Sequence, residues 1–584
     1  VTYIIPTIHP AALLRGSKPI PDVIRADLAK ANRVSWAGPS QIENYVIVLP
    51  SNPSGLQTCV RTALAWMDRW IGLQCPVAVD IETSSLDFFN CRLYSVALAG
   101  EDGCNTAVAF TFPSFQSLPW DAAMALDNKL REVLRNPWVS KVYHNAPYDY
   151  AVLTLKGYEM AGPIEDTMAY HFLIQPDIPH DLGWVGHTYL DVEPWKIDHM
   201  AGGEKMVFTT DTSKLLLYNA KDALNTMKLR RPLYDEVLER GMKTELISYQ
   251  MAFARLAAKM EIVGVPINFA KRKQMGDELL QRLEILKKRM RDWLAWPDFN
   301  PMAKAHAVEA LYNKKYVGLE ATVFTEKTKQ PSTKYETIID HMEHPFVKDF
   351  IEFVENQHCY ATQYRDDSPD PKAPQAGAYR RAMRADGRLH PHWSSTAQKG
   401  SRFTSKPNIQ NQRVCDRAFI EAPPGRVFIG SDKDQLELRL AAAMSGVREL
   451  VVEMGRPDGD PHRLAAINVY GEKFLSKSKE EQKRLRDAIK TTVYASLYRA
   501  GVKTVHKSIR KKKFLDPQLR AALTLRVVGH IYNSYFGKYV EIPAWHDHNY
   551  YLAETQGYLE IPPLGRRRYF PVQPPPYTEV ANWP

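Results

Sequence analysis

Short apolar runs closed by acidic or turn residues alternate along this chain with longer stretches whose leucines, alanines and aromatics recur at helical spacing. In the amino-terminal half this pattern predicts an entry strand at Tyr45 to Leu49, a helix through Thr58 to Gly72, and short strands at Val77 to Val79 and Lys141 to Tyr143. A helix is expected to start near Asn145, and another carries Tyr218 and Asp222 one turn apart on one face. From Glu236 to Trp296 the pattern is long, amphipathic and basic, broken by VGVPIN at Val263 to Asn268. Val427 to Gly430 reads as a buried strand that delivers an acidic turn, and Gln435 to Ala443 as the helix after it. Ser35 to Ser54, with its prolines, and Arg365 to Gly377 read as connections, and Lys327 to Lys334 as a polar loop. Strands and helices mixed in this way imply an α/β and α+β chain of several domains.

Candidate chemistry sits where these elements end. Asp80 and Glu82 lie two apart, so both side chains leave one face of a strand, and a divalent cation would relieve their mutual repulsion. A surface pair is the bland alternative for any lone motif of this type. Asp432, at the end of an expected strand, suits a hard cation such as Mg²⁺, and a surface turn is its alternative. Arg486, Lys490, Tyr494 and Tyr498 recur every four residues and would share a helical face, two cations followed by two aromatics. A nucleoside triphosphate has that layout, and a core stripe would explain the tyrosines but not the cations.

Three segments, VDIETSSLD, HNAPYDYAVL and YNAKDALNT, resemble the three motifs of the DEDD proofreading exonucleases in the variant with Tyr in the third. The resemblance implies that Asp80, Glu82, Asp149 and Asp222 hold two metal ions and that Tyr218 orients the attacking water. Asp166 matches another position that is often acidic, and its plainer role is to cap the following helix.

The segment SDKDQLELR looks like motif A of family A DNA polymerases, the group of bacterial DNA polymerase I and many phage replicases. By that resemblance Asp432 binds catalytic metal, Gln435 lies at the nucleotide site, Glu437 obstructs a ribose 2′-OH and Arg439 supports the site. Lys433 and Asp434 stand where the family usually has Tyr-Ser. The helix from Arg486 to Tyr498 matches motif B, with Arg486 and Lys490 on the phosphates, Tyr494 beside sugar and base, Tyr498 at the template side, and His462 like the Asp-x-His near the fingers. Arg499 stands where Gly is common. Arg402, Asn408, Gln410 and Asn411 resemble the primer-template segment, while Arg566, Arg567 and Arg568 in GRRR are able to hold phosphate or brace the fold.

These resemblances imply an RNase H-like exonuclease domain over 45–240, followed by a right-hand polymerase domain over 241–584. Within the latter, thumb is expected at about 245–370, palm at about 375–445 and 555–584, and fingers at about 446–554. EVANWP resembles the lead-in to motif C, which the sequence does not reach, so an incomplete polymerase is expected. YIIPTIHPAALLRG resembles the last conserved segment of family 4 uracil-DNA glycosylases with His9 at the uracil contact, so 1–44 is read as a remnant of an upstream glycosylase module, with a chance strand-turn-helix as the alternative.

At 584 residues, 45% hydrophobic and 24% charged, the chain is ordinary globular protein, and a net charge of +10 is compatible with a polyanionic partner. Its six cysteines show no CxxC spacing, which points to a reducing, intracellular (cytoplasmic) setting, with no membrane-length apolar run. The expected partners are primer-template DNA, dNTPs, single-stranded 3′ ends, and the missing carboxy-terminal and glycosylase pieces. The expected cofactors are Mg²⁺ or Mn²⁺, two ions per active site. Two alternatives stay open: exonuclease activity alone, or a silent DNA-binding fragment.

Overall fold

The structure, a computed structural model, describes residues 43–49, 53–112, 118–190, 192, 195, 211–325, 328–366, 377–510, 519 and 522–570. The expected glycosylase remnant, with His9, and the EVANWP lead-in lie outside them. The chain divides into two compact units: Val1–Val265, Arg388–Val414 and Glu560–Tyr569 form the first, and Pro266–Gly387, Cys415–Leu559 and Phe570–Pro584 the second.

The first unit is built on a six-stranded sheet of β1 (Asn44–Val48), β2 (Val77–Thr83), β3 (Leu93–Gly100), β4 (Thr106–Thr111), β5 (Lys141–Tyr143) and β6 (Ile164–Asp166). Their order is β1, β4, β3, β2, β5, β6. Strand β3 runs antiparallel to its neighbours β2 and β4, and the pairs β1 with β4, β2 with β5 and β5 with β6 are parallel. Around the sheet lie α1 (Pro53–Leu73), α2 (Trp120–Arg135), α3 (Ala146–Leu155), α4 (Thr167–Ile174), α5 (Leu182–Tyr189), α6 (Thr212–Glu239) and α7 (Thr244–Val263).

Alternation of side chains along each strand splits the sheet into two different faces. Val77, Val79, Ile81, Val96, Leu98, Val108 and Phe110 point into the large core with Met67 and Trp70 of α1 and Leu126 and Leu130 of α2. The opposite face is nearly all alanine, with Ala78, Ala97, Ala99, Ala107 and Ala109 meeting Leu216, Ala220, Ala223 and Leu224 of α6. Alanines across the sheet face, met by Ala220 and Ala223 as well as the leucines of α6, let the helix seat closely on the sheet, and that spacing decides where α6 can present a carboxylate. Close approach recurs at Gly100, where a Cβ would stand 2.2 Å from Trp70 Cδ1. Helix α7 begins among residues expected at the base of the thumb, and it buries Ile247, Met251, Ala254 and Ala258 in the cores of the first unit. The same unit carries β7 (His392–Ser394) paired antiparallel with β8 (Thr404–Lys406), and β9 (Arg566–Tyr569).

The second unit is helical with two cores. In one, α8 (Phe269–Leu294) packs through Leu283, Leu286 and Met290 against Phe346 and Phe350 of α10 (Pro345–Cys359), with α9 (Lys304–Tyr312) adding Ala307 and Leu311. The basic residues of α8 are partly committed to ion pairs, Arg289 to Asp349 of α10 at 3.0 Å and Lys287 to Glu284 of α8 itself at 3.8 Å. The other core gathers α11 (Leu436–Ser445), α12 (Arg448–Gly455), α13 (Pro461–Tyr470), α14 (Lys479–Ser496), α15 (Val502–Arg510), α16 (Leu525–Lys538) and α17 (Glu541–Thr555).

Two sequence expectations in this unit need correction. Val427 to Gly430 forms no strand; Val427 is 80% and Ile429 93% exposed, because among the described residues no strand lies beside them to complete a ladder. Nor does Tyr498 share the helical face of Arg486, Lys490 and Tyr494. Helix α14 ends at Ser496, and Arg499 at φ 61° turns the backbone out of the helix at the position where the resemblance led one to expect Gly. An ion pair from Arg499 to Asp547 at 2.5 Å and its stacking over the Tyr550 ring at 4.9 Å hold that conformation.

Candidate functional site

Strand β2 is longer than its apolar start suggested and carries Asp80 and Glu82 itself, opposite Ala97 and Ser95 of β3. Both carboxylates leave the alanine face, toward α6, which brings in Asp222. Ligand oxygens of Asp80, Glu82 and Asp222 all lie within 4.8 Å of one another, and no other group of three or more such ligand side chains occurs among the described residues. Three carboxylates this close repel one another, and a hard divalent cation is the species that fits them.

The neighbours of this cradle are equally specific. Asp149, on the first turn of α3, is buried, and its Oδ1 accepts the Ile81 N–H at 3.2 Å, which ties α3 to β2. Burial pushes its carboxyl well above the usual carboxylate range, with the Ile81 N–H opposing and the charges of Glu82 and Asp166 adding to the rise. Asp149 is therefore adjacent to Glu82 but outside the tightest cluster. Tyr218, half-buried, sits one turn before Asp222 on α6. Asp166 caps α4 by accepting from Met168 N and Ala169 N, and also accepts from Asn145 N at 3.0 Å and Ala146 N at 2.9 Å. One carboxylate thus fixes the start of two helices, including the one that bears Asp149.

Sequence reasoning missed Asn219. Its Nδ2 donates to Asp80 Oδ2 at 2.6 Å and to the Asp80 carbonyl at 3.1 Å, while its Oδ1 accepts from Ser95 Oγ at 2.8 Å. The signal was present, since an amide three residues before Asp222 falls on the same face of α6. Asn219→Ala should weaken divalent-cation binding at this cradle, read by calorimetry, by about ten- to a hundred-fold, the loss typical of a side chain that orients a ligand. Circular dichroism should report an intact fold.

In the second unit the acidic turn precedes α11. Asp432 is exposed, Gln435 lies in the left-handed region at φ 52° just before the helix, and Glu437 occupies its exposed first turn. Arg439 supports the turn, with Nε donating to the Asp434 carbonyl at 2.8 Å and NH1 to the Met454 carbonyl at 2.7 Å. Asp434 and Glu437 face α14, and after burial their charges help raise the Tyr494 phenol. His462 is buried with its ring 5.5 Å from that of Tyr494; burial, then Arg486, pulls its imidazole down to about 4. Arg486 Nε meets Asp460 Oδ2 at 2.5 Å, and Asp460 also caps α13. Lys490 is exposed and no ion pair holds it among the described residues.

Apart from Arg439, which lies in the second unit, the expected DNA contacts belong to the first unit. Arg402 is exposed; Asn408 Oδ1 accepts from Gln410 N at 3.0 Å and Asn411 N at 3.2 Å, and Gln410 Nε2 donates to the Phe403 carbonyl at 2.9 Å. These amides hold their own loop in shape. Arg566 donates to Ser401 and the Lys399 carbonyl and lies over the Phe172 ring, Arg567 approaches Glu560, and Arg568 pairs with Asp177 at 2.9 Å.

Residues 270–576 match the profile of DNA polymerase family A, more than half of the chain. The chain belongs to DNA polymerase family A. Residues 60–238 match a second profile, 3′–5′ exonuclease, which encloses Asp80, Glu82, Asp149 and Asp222. DNA polymerase I of Chloroflexus aurantiacus is 25% identical over 460 residues, 76% of this chain and 46% of that protein. DNA polymerase I of Geobacillus stearothermophilus is 23% identical over 510 residues, 85% of this chain and 52% of that protein. This family A chain therefore spans about half the length of these curated relatives. Among solved structures, the POL domain of Pol1 from M. smegmatis, in complex with DNA primer-template and dNTP, has a TM-score of 0.68 at 17% identity. The match covers 87% of this chain and 80% of that one, and it shows the shared fold. No helix among the described residues is long and apolar enough to cross a membrane.

Proposed function

We propose that this family A chain works as a template-directed DNA polymerase with a 3′-to-5′ proofreading exonuclease, acting on primer-template DNA, dNTPs and single-stranded 3′ ends. The observation that carries the exonuclease part is the convergence of Asp80, Glu82 and Asp222 from β2 and α6 onto one cradle. These three, with Asp149 beside them, would hold Mg²⁺ or Mn²⁺, which when bound activates a water and stabilises the departing 3′ oxygen of an in-line phosphodiester displacement. The protein's own share is placement. Asn219 holds Asp80, the Ile81 N–H holds Asp149, and Tyr218, one turn before Asp222 on α6, is assigned to orient the attacking water.

In the polymerase part, Lys490 and Arg486 would take the triphosphate, Tyr494 the sugar and base, and Asp432 the metal ion that accompanies the nucleotide. Asn408, Gln410, Asn411, Arg402, Arg566 and Arg567 are assigned to DNA. Amides of this kind read acceptors common to every base pair, which suits copying without sequence choice.

A second reading, exonuclease activity alone, is favoured by the contrast between the assembled carboxylates of the first unit and the exposed Asp432. Incubating the chain with Mg²⁺ and a 5′-labelled primer-template tests both. Shortening without dNTPs together with lengthening on their addition supports the full proposal. Shortening alone under both conditions supports the second reading, and an unaltered primer overturns both.

A further inference from the structure

We propose that Trp195 is a positioning residue of the exonuclease cradle, its indole N–H fixing the carboxylate of Asp222 in the orientation that receives a cation. The inference rests on the exonuclease reading above and extends it to a residue outside all three acidic motifs.

Trp195 Nε1 donates to Asp222 Oδ1 at 2.5 Å. Asp222 is buried on α6, so a donor that reaches it there acts in a low-dielectric setting and restricts rotation about its terminal torsion. The indole is itself anchored. Its ring packs on the cluster formed by Tyr170, Leu182, Val185 and Leu190.

The seat for that ring is Gly186, in the middle of α5. Glycine within a helix is destabilising relative to alanine. Its backbone is not left-handed here, so conformation does not explain its presence. Space does: a Cβ on Gly186 would stand 2.6 Å from Trp195 Cη2 and 3.2 Å from Cζ3. Gly186, Trp195 and Asp222 thus form a line from a helix on the flank of the sheet to a ligand of the cradle.

Partners that donate to a ligating carboxylate typically change metal affinity or activity by about 10- to 100-fold when removed. Trp195→Phe keeps an aromatic ring on the Gly186 seat and deletes the donor. Gly186→Ala leaves the donor and crowds its seat. For the full chain, Mn²⁺ binding without DNA is read by calorimetry, and kcat and KM are read separately on a single-stranded oligonucleotide.

Both variants should bind Mn²⁺ about tenfold more weakly and hydrolyse about tenfold more slowly, with KM for the oligonucleotide within about twofold of the parent. A packing role alone would lower the melting temperature and leave Mn²⁺ affinity unchanged, and that result overturns the inference. So do two variants indistinguishable from a parent that binds Mn²⁺ and shortens DNA. A parent that does neither overturns the exonuclease reading and this inference with it.

Discussion

Asp80→Ala should abolish 3′-end degradation, by about a thousand-fold or more, without unfolding the protein. A loss of that size corresponds to about 4 kcal/mol of activation free energy, within what charge stabilisation by metal ions contributes to phosphoryl chemistry. Asp80 is held in the cradle through Asn219 and, behind it, Ser95. Its removal takes one of three mutually close anions away, so the folded state loses repulsion as well as a hydrogen bond. The Asn219 amide keeps its bond to the residue-80 carbonyl at 3.1 Å, which limits the structural cost. The melting temperature should therefore change little or rise. Single-turnover degradation of a labelled oligonucleotide, paired with a thermal melt, reads both quantities. Residual degradation within about tenfold of the parent would place the chemistry elsewhere.

The second large effect is expected on α14. Lys490→Ala should weaken dNTP binding to the primer-template complex by about ten- to a hundred-fold, as loss of a charge-assisted contact to phosphate costs about 1.5–3 kcal/mol. Lys490 is exposed with no ion pair to break among the described residues, so its ammonium is ready for an anion. Arg486 is not in the same position, because Asp460 Oδ2 already occupies it at 2.5 Å. Engaging a triphosphate with Arg486 means exchanging one anion for another, so Arg486→Ala should cost less than Lys490→Ala unless Asp460 is also neutralised. Titrating dNTP in the Asp80→Ala background, where primers stay intact, gives the comparison. Equal affinities for parent and Lys490→Ala would remove α14 from the nucleotide site.

Sequence periodicity located the exonuclease elements well because the relevant signals are local. The strand Lys141 to Tyr143 is found where expected, and the two-residue spacing of Asp80 and Glu82 translates directly into a shared face of β2. The cap at Asp166 was legible for the same reason, although its second task, holding the start of α3, depends on residues twenty positions away. The misreading of Val427 to Gly430 has the opposite origin. Its side chains have strand chemistry, but a strand exists only with a neighbour, and none of the described residues supplies one. Tyr498 failed because periodicity says which residues would share a face and not where the helix stops; the left-handed Arg499 decides that. Asn219 and Trp195 act through contacts that only tertiary packing creates, and for Trp195 no local signal existed.

Two of the cradle's carboxylates ride on one strand, and the third rides on a helix seated on methyl groups. On its sheet side that contact offers the alanine methyls of β2, β3 and β4, with no long side chain whose rearrangement could widen or narrow the gap, so the opening behaves as a fixed calliper. Cation size is then selected by backbone spacing. A version suited to a larger ion such as Ca²⁺, whose oxygen ligands stand about 0.3–0.5 Å farther out than those of Mg²⁺, would be reached by enlarging Ala78 or Ala223 rather than by exchanging the acids.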